Sequence, residues 1–418
     1  MAAKARKYRI VTLGCKLNQL DSAVVAGLLG GEAALAKAGE PADIVILNTC
    51  TVTHRADAEA RRLIRKLRRE NPGASICVTG CGARRDGASF SEMEEVDQVL
   101  SSLDDVRRFL YKLDLGCAPH RQQPVPFFLG RTRAMLKVQE GCNLRCAYCI
   151  VPKVRGRSRS VEPCEVEEGL RRLIEAGYKE IVLTGTNTGA YGNDLNESRS
   201  TLATLLGRLM EVEGEFRLRL NSIEPRAVTA ALVALLAGSG GRLCRHLQVP
   251  LQSGSDAVLK AMRRNYSAAT YLSVAEKLAM DVPGIAIGAD VLVGFPTETA
   301  ADFQATLDLI ERSPIAFIHG FSYSPRPGTA SASIRPLPPP EVAARMRGLM
   351  ALAAQKKRAF VESQKELRLR ALSLSSEVLT DNFIKAKLSG PPAPRNRFLD
   401  VYIQMAAGGE ISARMVSP

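Results

Sequence analysis

In the first third of the chain, apolar residues fall in short runs: Tyr8 to Leu13, Asp43 to Asn48, Ser75 to Thr79 and Val96 to Leu100 read as strands. Between the runs the period changes. Ala56, Ala60, Leu63 and Leu67 recur at helical spacing, with Arg and Lys on the other faces. Strands alternating with helices predict a parallel, doubly wound sheet. A loop rich in proline and glycine, Gly116 to Gly130, has no periodicity and marks a boundary.

A second alternating series follows, with strands expected at Arg133 to Val138, Glu180 to Leu183, Phe216 to Leu220, His246 to Val249, Ala286 to Val293 and Ile315 to Phe321. Six βα units predict a partial or complete barrel whose functional residues lie on the loops after the strands. Arg335 to Pro340 is a proline-rich break, and Glu341 to about Leu369 reads as one long helix. Beyond it, Ser373 to Leu379, Asn382 to Leu388, Phe398 to Met405 and Glu410 to Val416 are short apolar or β-branched segments separated by turns. They suit a small antiparallel barrel. The expected fold class is α/β: an N-terminal doubly wound parallel sheet over 1–118, a central (β/α) partial barrel over 128–362 and a small C-terminal antiparallel β-barrel over 363–418.

Charge adds a partner class. Lys plus Arg outnumber Asp plus Glu by 57 to 43, a net charge of +14, which favours a polyanion such as nucleic acid. The basic N-terminus, with Lys4, Arg6 and Lys7, lacks the apolar stretch of a signal peptide. No apolar run approaches the ~18 residues that span a bilayer. The expected location is the cytoplasm, without a membrane, where ten cysteines point to metal or redox chemistry rather than disulfides.

The densest cysteine group is Gly141-Cys142-Asn143-Leu144-Arg145-Cys146-Ala147-Tyr148-Cys149, spaced C-x3-C-x2-C directly after the first barrel strand. Three thiolates can hold three irons of a 4Fe-4S cubane and leave the fourth open, so that S-adenosylmethionine bound there is cleaved reductively. A zinc site would need a fourth nearby ligand, and His120 and Cys164 lie outside a compact frame. Tyr148 is placed to pack against the adenine. Polar residues on later loops, Thr186, Asn187, Glu224, Gln248, Gln252 and Asp290, are candidates to bind the rest of the cofactor. Ser253 and Ser255 read better as helix caps.

Cys15, Cys50 and Cys81 each follow a predicted strand of the first sheet. Parallel strands deliver their carboxyl ends to one edge, so these three thiols would share one crevice and could ligate a second cluster. Buried strand-end cysteines are the alternative. Cys77 reads as core, and Cys117, Cys164 and Cys244 show no partner pattern. Two basic runs stand out. Arg61, Arg62, Arg65, Lys66, Arg68 and Arg69 suit a solvated helix face or an RNA contact, and Lys153, Arg155, Arg157 and Arg159 suit phosphates. In the nearly neutral C-terminal unit, Phe383 and Phe398 are either stacking platforms or core.

With both cysteine sets placed, the chain closely resembles the methylthiotransferase family of radical S-adenosylmethionine enzymes over essentially its whole length. The resemblance rests on Gly14 to Ser22, Asn48 to Thr53, Gly80-Cys81, Gly141 to Cys149 with Arg155-Gly156-Arg157, Pro250 to Ser255, Gly294 to Thr299 and Tyr323 to Thr329. It implies two 4Fe-4S clusters, the auxiliary one on Cys15, Cys50 and Cys81, and a C-terminal TRAM-type RNA-binding barrel, here short and only weakly basic. It also implies that one S-adenosylmethionine supplies a methyl group and a second the hydrogen-abstracting radical. Asn48 to Thr53, Leu183-Thr184-Gly185 and Asn221 to Pro225 resemble the branch that modifies N6-threonylcarbamoyladenosine beside the tRNA anticodon. The implied partners are a tRNA anticodon stem-loop, an electron donor and a sulfur source. Sister branches act on isopentenyladenosine in tRNA or on a ribosomal-protein aspartate, and a non-catalytic iron-sulfur RNA-binding protein is the reading from another class.

Overall fold

The computed structural model describes residues 6–29, 35–37, 39–113, 126, 128, 130–195, 200–406 and 409–416. Most of the 116–130 loop, with Cys117 and His120, lies outside them. Two compact units emerge: the chain up to Arg131 together with Cys149–Arg157, and Thr132–Tyr148 together with the chain from Ser158 onward.

In the first unit, β1 (Tyr8–Thr12), β2 (Ile44–Thr49), β3 (Ser75–Gly80) and β4 (Gln98–Leu100) form one parallel sheet in that order. β2 is buried along its whole length, which is why it reads as a continuous apolar run. Val25 of α1 (Lys16–Leu28) and Val106 and Leu110 of α4 (Leu103–Lys112) pack with Ile44, Ile46 and Cys77 on one face. Ala60, Ile64 and Leu67 of α2 (His54–Glu70) and Phe90 of α3 (Cys81–Ser91) pack with Val45, Leu47, Ile76 and Val78 on the other. The sheet is thus covered on both faces, as expected of a doubly wound fold. The basic run on α2 is paired with acids on the helix and on its neighbours: Arg61 with Asp86, Arg62 with Glu59, Arg65 with Glu95, Lys66 with Glu70 and Arg68 with Asp97. It is mainly a solvated helix face.

The second unit opens with β5 (Ala134–Lys137) and β6 (Gln139–Glu140). α5 (Val151–Arg155) belongs to the first unit, and β7 (Arg159–Ser160) pairs back with β6. The core then runs α6 (Pro163–Glu175), β8 (Glu180–Thr184), α7 (Leu202–Met210), β9 (Arg217–Leu220), α8 (Ala230–Gly238), β10 (His246–Gln248), α9 (Asp256–Ala261), α10 (Ala268–Asp281), β11 (Ala286–Val293), α11 (Ala300–Arg312) and β12 (Ile315–Ser322). The parallel sheets β5-β8-β9 and β10-β11-β12 are joined by bridges Leu218↔Leu243 and Ser222↔Gln248, while β5 and β12 do not pair. This is the partial barrel.

α12 (Pro339–Ser363) ends six residues before the expected Leu369. Gln364 caps it, Glu366 at φ 62 turns the chain away from a helical path, and Arg368-Leu369-Arg370-Ala371 alternates exposed and buried as strand β13 (Arg368–Ser373). With β14 (Glu377–Thr380), β15 (Lys385–Leu388), β16 (Phe398–Met405) and β17 (Ile411–Met415) it closes a five-stranded barrel in the order β13-β14-β15-β17-β16. All pairs are antiparallel except β15–β17.

This small barrel is fastened to the amino-terminal ends of the core strands. Glu180, fully buried, accepts from Arg217 Nε at 2.8 Å and Arg219 Nε at 2.8 Å, and both arginines are 1% exposed. Their remaining N–H groups donate to carbonyls of the small barrel: Arg370 at 3.0 Å, Leu379 at 2.8 Å, Thr380 at 3.0 Å and Asp381 at 2.9 Å. Burial opposes ionisation of Glu180, but the charges of Arg219 and Arg217 outweigh it and hold the carboxyl far below the usual carboxylate range. Phe383 stacks on His246 at 4.1 Å and lies under Arg219, and Phe398 lies under Arg217 and Arg370. Both aromatics pack at this internal junction. Among the described residues no helix is long and apolar enough to cross a membrane.

Candidate functional site

The cysteine loop leaves the first barrel strand through Gln139, a glutamine with no exposed surface whose amide folds the chain. Its Nε2 donates to the carbonyls of Glu140 and Gly141 and to Ser158 Oγ at 2.9, 2.7 and 2.9 Å, and its Oε1 accepts from Asn187 N–H at 2.8 Å. Gly141 adopts φ 74, open to glycine at little cost, and its N–H donates to Thr186 Oγ1 at 3.2 Å. Cys142 Sγ accepts from Leu144 N–H at 3.4 Å and lies within hydrogen-bonding reach of Asn187. Burial pushes the Cys142 thiol up, and the nearby Cys146 and Glu224 act in the same sense. Cys146 Sγ accepts from Arg264 Nη1 at 3.2 Å. Farther along, Ala147 is tied by its N–H to Met262 and by its carbonyl to Ser331 N–H and Oγ, at 2.9, 2.9 and 3.0 Å. Cys149 opens the segment that packs within the first unit.

The other loop residues fall into two groups. Thr186, Asn187 and Glu224 gather around Cys142 and Cys146, with the Glu224 carboxylate already engaged by Arg264. Gln248 Nε2 donates to Asp290 Oδ1 at 2.8 Å, and Gln252, at φ 63, donates its N–H to the Asp290 carbonyl at 2.7 Å. Asp290 is not on a loop: β11 runs to Val293, so its side chain projects from within a strand. Tyr148 packs in an apolar cluster with Val258, Met262, Leu292 and Phe295. Ser255 caps α9, and Ser253 Oγ accepts from Ser255 N–H at 3.2 Å.

At the carboxyl edge of the first sheet the second thiol set does converge. Asn18 Oδ1 lies 3.9 Å from Cys15 Sγ and 3.8 Å from Cys81 Sγ. A Cβ on Gly14 would fall 3.0 Å from Cys50 Sγ. Burial pushes both the Cys50 and the Cys81 thiols up, and the neighbouring Cys15 acts on both in the same sense. Gly80 holds φ 92 with the Asn48 amide against it.

A model of the radical SAM superfamily matches residues 136–310, and one of the uncharacterized protein family UPF0004 matches 7–101. The threonylcarbamoyladenosine tRNA methylthiotransferase MtaB of Bacillus subtilis is 39% identical over 339 residues, covering 77% of this chain and 74% of that protein. The chain belongs to the radical SAM methylthiotransferase family. A second member, the tRNA-2-methylthio-N(6)-dimethylallyladenosine synthase of Carboxydothermus hydrogenoformans, is 33% identical over 373 residues, with 81% of each chain covered. The solved radical S-adenosylmethionine methyltransferase TsrM of Kitasatospora setae shares the fold at TM-score 0.55 and 16% identity, over 78% of this chain and 75% of that one.

Membership of the radical SAM family brings a 4Fe-4S cluster and S-adenosylmethionine to this methylthiotransferase. The residues fit: soft thiol donors stand on a loop pinned from three sides, beside polar groups at the strand ends. Among the described residues no three His, Cys, Asp or Glu side chains are gathered tightly enough for a single ion. A cubane makes no such demand, because each thiolate binds a different iron.

Several residues that contact these thiol loops escaped the reading of the methylthiotransferase's sequence. Arg264 follows a helix in a basic dipeptide that resembles any surface pair. Gln139 looks like an ordinary strand residue. Arg155, grouped with phosphate-binding cations, is buried, donates to Asn18 Oδ1 at 2.6 Å and pairs with Asp21 at 3.3 Å. It is no phosphate contact, whereas Lys153, Arg157 and Arg159 are exposed.

Proposed function

We propose that this chain transfers a methylthio group to C2 of N6-threonylcarbamoyladenosine at position 37 of tRNA, next to the anticodon. The observation that carries the reading is the convergence of Cys15 and Cys81 on Asn18 with Cys50 beside Gly14, a second three-thiol set distinct from Cys142, Cys146 and Cys149. Two such sets suit two 4Fe-4S clusters, each with one iron open. When bound at Cys142, Cys146 and Cys149, a cluster supplies the electron that cleaves S-adenosylmethionine. The second set would hold the cluster that carries sulfur. Thr186, Asn187, Gln248, Gln252 and Asp290 are the polar groups proposed to orient the cofactor, with Tyr148 against its adenine and Glu224 acting through Arg264.

The substrate branch is supported by the relative named for threonylcarbamoyladenosine, at 39% identity against 33% for the one named for dimethylallyladenosine. The net charge of +14 suits an anticodon stem-loop, with Lys153, Arg157 and Arg159 exposed for phosphates. We assign the methylthiotransferase domain to residues 1–118, the radical core to 128–362 and the short TRAM-like RNA-binding domain to 363–418, acting in the cytoplasm with an electron donor and a sulfur source.

Nucleoside mass spectrometry of tRNA from cells with and without the protein tests the assignment. Loss of 2-methylthio-N6-threonylcarbamoyladenosine is expected, and an unchanged level refutes the branch. With purified protein, Cys142→Ala should abolish 5′-deoxyadenosine formation. Cys50→Ala should keep that cleavage and lose methylthio transfer; retained transfer would refute the role of the second set.

A further inference from the structure

Asn18 is fixed by two acceptors. Its Nδ2 donates to the carbonyls of Leu13 at 2.8 Å and Thr49 at 3.0 Å, in the chain leading into Cys15 and Cys50. The amide orientation follows, and Oδ1 must face the thiols of Cys15 and Cys81. While those groups are thiols they donate to it. Once they lose their protons to bind iron, an acceptor oxygen faces thiolates, and the donor between them must come from elsewhere.

Arg155 is placed to be that donor. Its Nη2 reaches Asn18 Oδ1 at 2.6 Å and Asp21 Oδ2 at 3.3 Å, its side chain is 3% exposed, and it lies within hydrogen-bonding reach of the Cys81 sulfur. The short helix α5 that carries it is anchored through Ile150 and Val154, which pack on Cys81. Three thiolates on a cubane of core charge 2+ leave one net negative charge beside the Asp21 carboxylate, in a site where burial magnifies charge. A buried guanidinium offsets it, and hydrogen bonds to cluster sulfurs together with local charge set reduction potentials.

We propose that Arg155 is a positioning residue for the auxiliary cluster: held by Asn18 and Asp21, it donates to the Cys81 sulfur and raises the potential at which that cluster takes up one electron. This rests on the reading of Cys15, Cys50 and Cys81 as cluster ligands. The step is a one-electron reduction of the core from 2+ to 1+, with the electron from dithionite in the assay and no proton moved.

The test uses the full chain carrying Cys142→Ala and Cys146→Ala, which removes the radical cluster and leaves the 149–157 segment intact. After anaerobic reconstitution about four irons per chain are expected. Absence of iron overturns the cluster reading and this proposal with it. In that background, Arg155→Met should keep its iron and shift the oxidised-to-reduced ratio at fixed potential at least tenfold toward oxidised, about 59 mV for one electron. Arg155→Lys, which keeps the charge, should recover most of the shift. An unchanged potential in Arg155→Met overturns the proposal. If Arg155→Met holds no iron, Arg155→Lys decides: a loaded cluster near the parent potential supports the charge role, and loss in both variants overturns it.

Discussion

Replacing Glu180 by glutamine removes the carboxylate charge that Arg217 and Arg219 share, while keeping the side-chain volume. In the native protein one buried carboxylate accepts N–H groups from both guanidiniums at 2.8 Å, with Arg133 a third cation at 3.4 Å. At an effective dielectric of 20, each close pair is worth about 4 kcal/mol in gross Coulomb energy. Much of that is offset by desolvation, and breaking a buried pair costs about 3–5 kcal/mol. With a urea slope of about 3 kcal/mol/M, the midpoint of Glu180→Gln should fall by about 1 M or more. The pH dependence has a definite sign. The folded-state pKa of Glu180 is lowered, so its contribution is complete above the unfolded value of about 4.3 and disappears only as pH falls far below it. The gap between wild type and variant should therefore be constant from about pH 6 to 8, begin to narrow below about pH 4.3 and close only in strong acid. A midpoint loss below about 0.3 M, or a gap that closes near neutrality, would refute the view that this ion cluster fastens the small barrel to the core.

Three further outcomes follow from the sites. Gly80→Ala puts a Cβ 2.2 Å from Asn48 Oδ1 at φ 92, and should cost at least about 2 kcal/mol and lower iron retention in the Cys142→Ala/Cys146→Ala background. Gly73→Ala, with nothing within 4 Å, is the control and should stay within about 0.5 kcal/mol; equal effects at both glycines would dismiss the close-approach argument. Arg264→Met removes a charged donor from Cys146 and the partner of Glu224, worth about 1.5–3 kcal/mol. If that stabilisation is expressed in the cleavage step, 5′-deoxyadenosine formation slows by about tenfold or more with iron content unchanged, and a wild-type rate would rule out a role for Arg264 there.

The sequence by itself determined what local periodicity and short spacing encode. Buried parallel strands show as apolar runs, as in β2, and helices as recurrences at three and four. The C-x3-C-x2-C loop declares its donors within eight residues, and topology alone placed Cys15, Cys50 and Cys81 at one sheet edge. Tertiary structure decided how charge is used. Arg217-Leu218-Arg219-Leu220 alternates like a strand with one wet face, yet all four residues are buried, because the small barrel covers the polar face and supplies acceptors for it. Arg155 reads as a surface cation until Asn18, 137 positions away, is seen to hold it. The physical reason is the same in both cases: a charge can be buried only against partners that neutralise it and satisfy its hydrogen bonds. Those partners are distant in sequence, so folding alone brings them together.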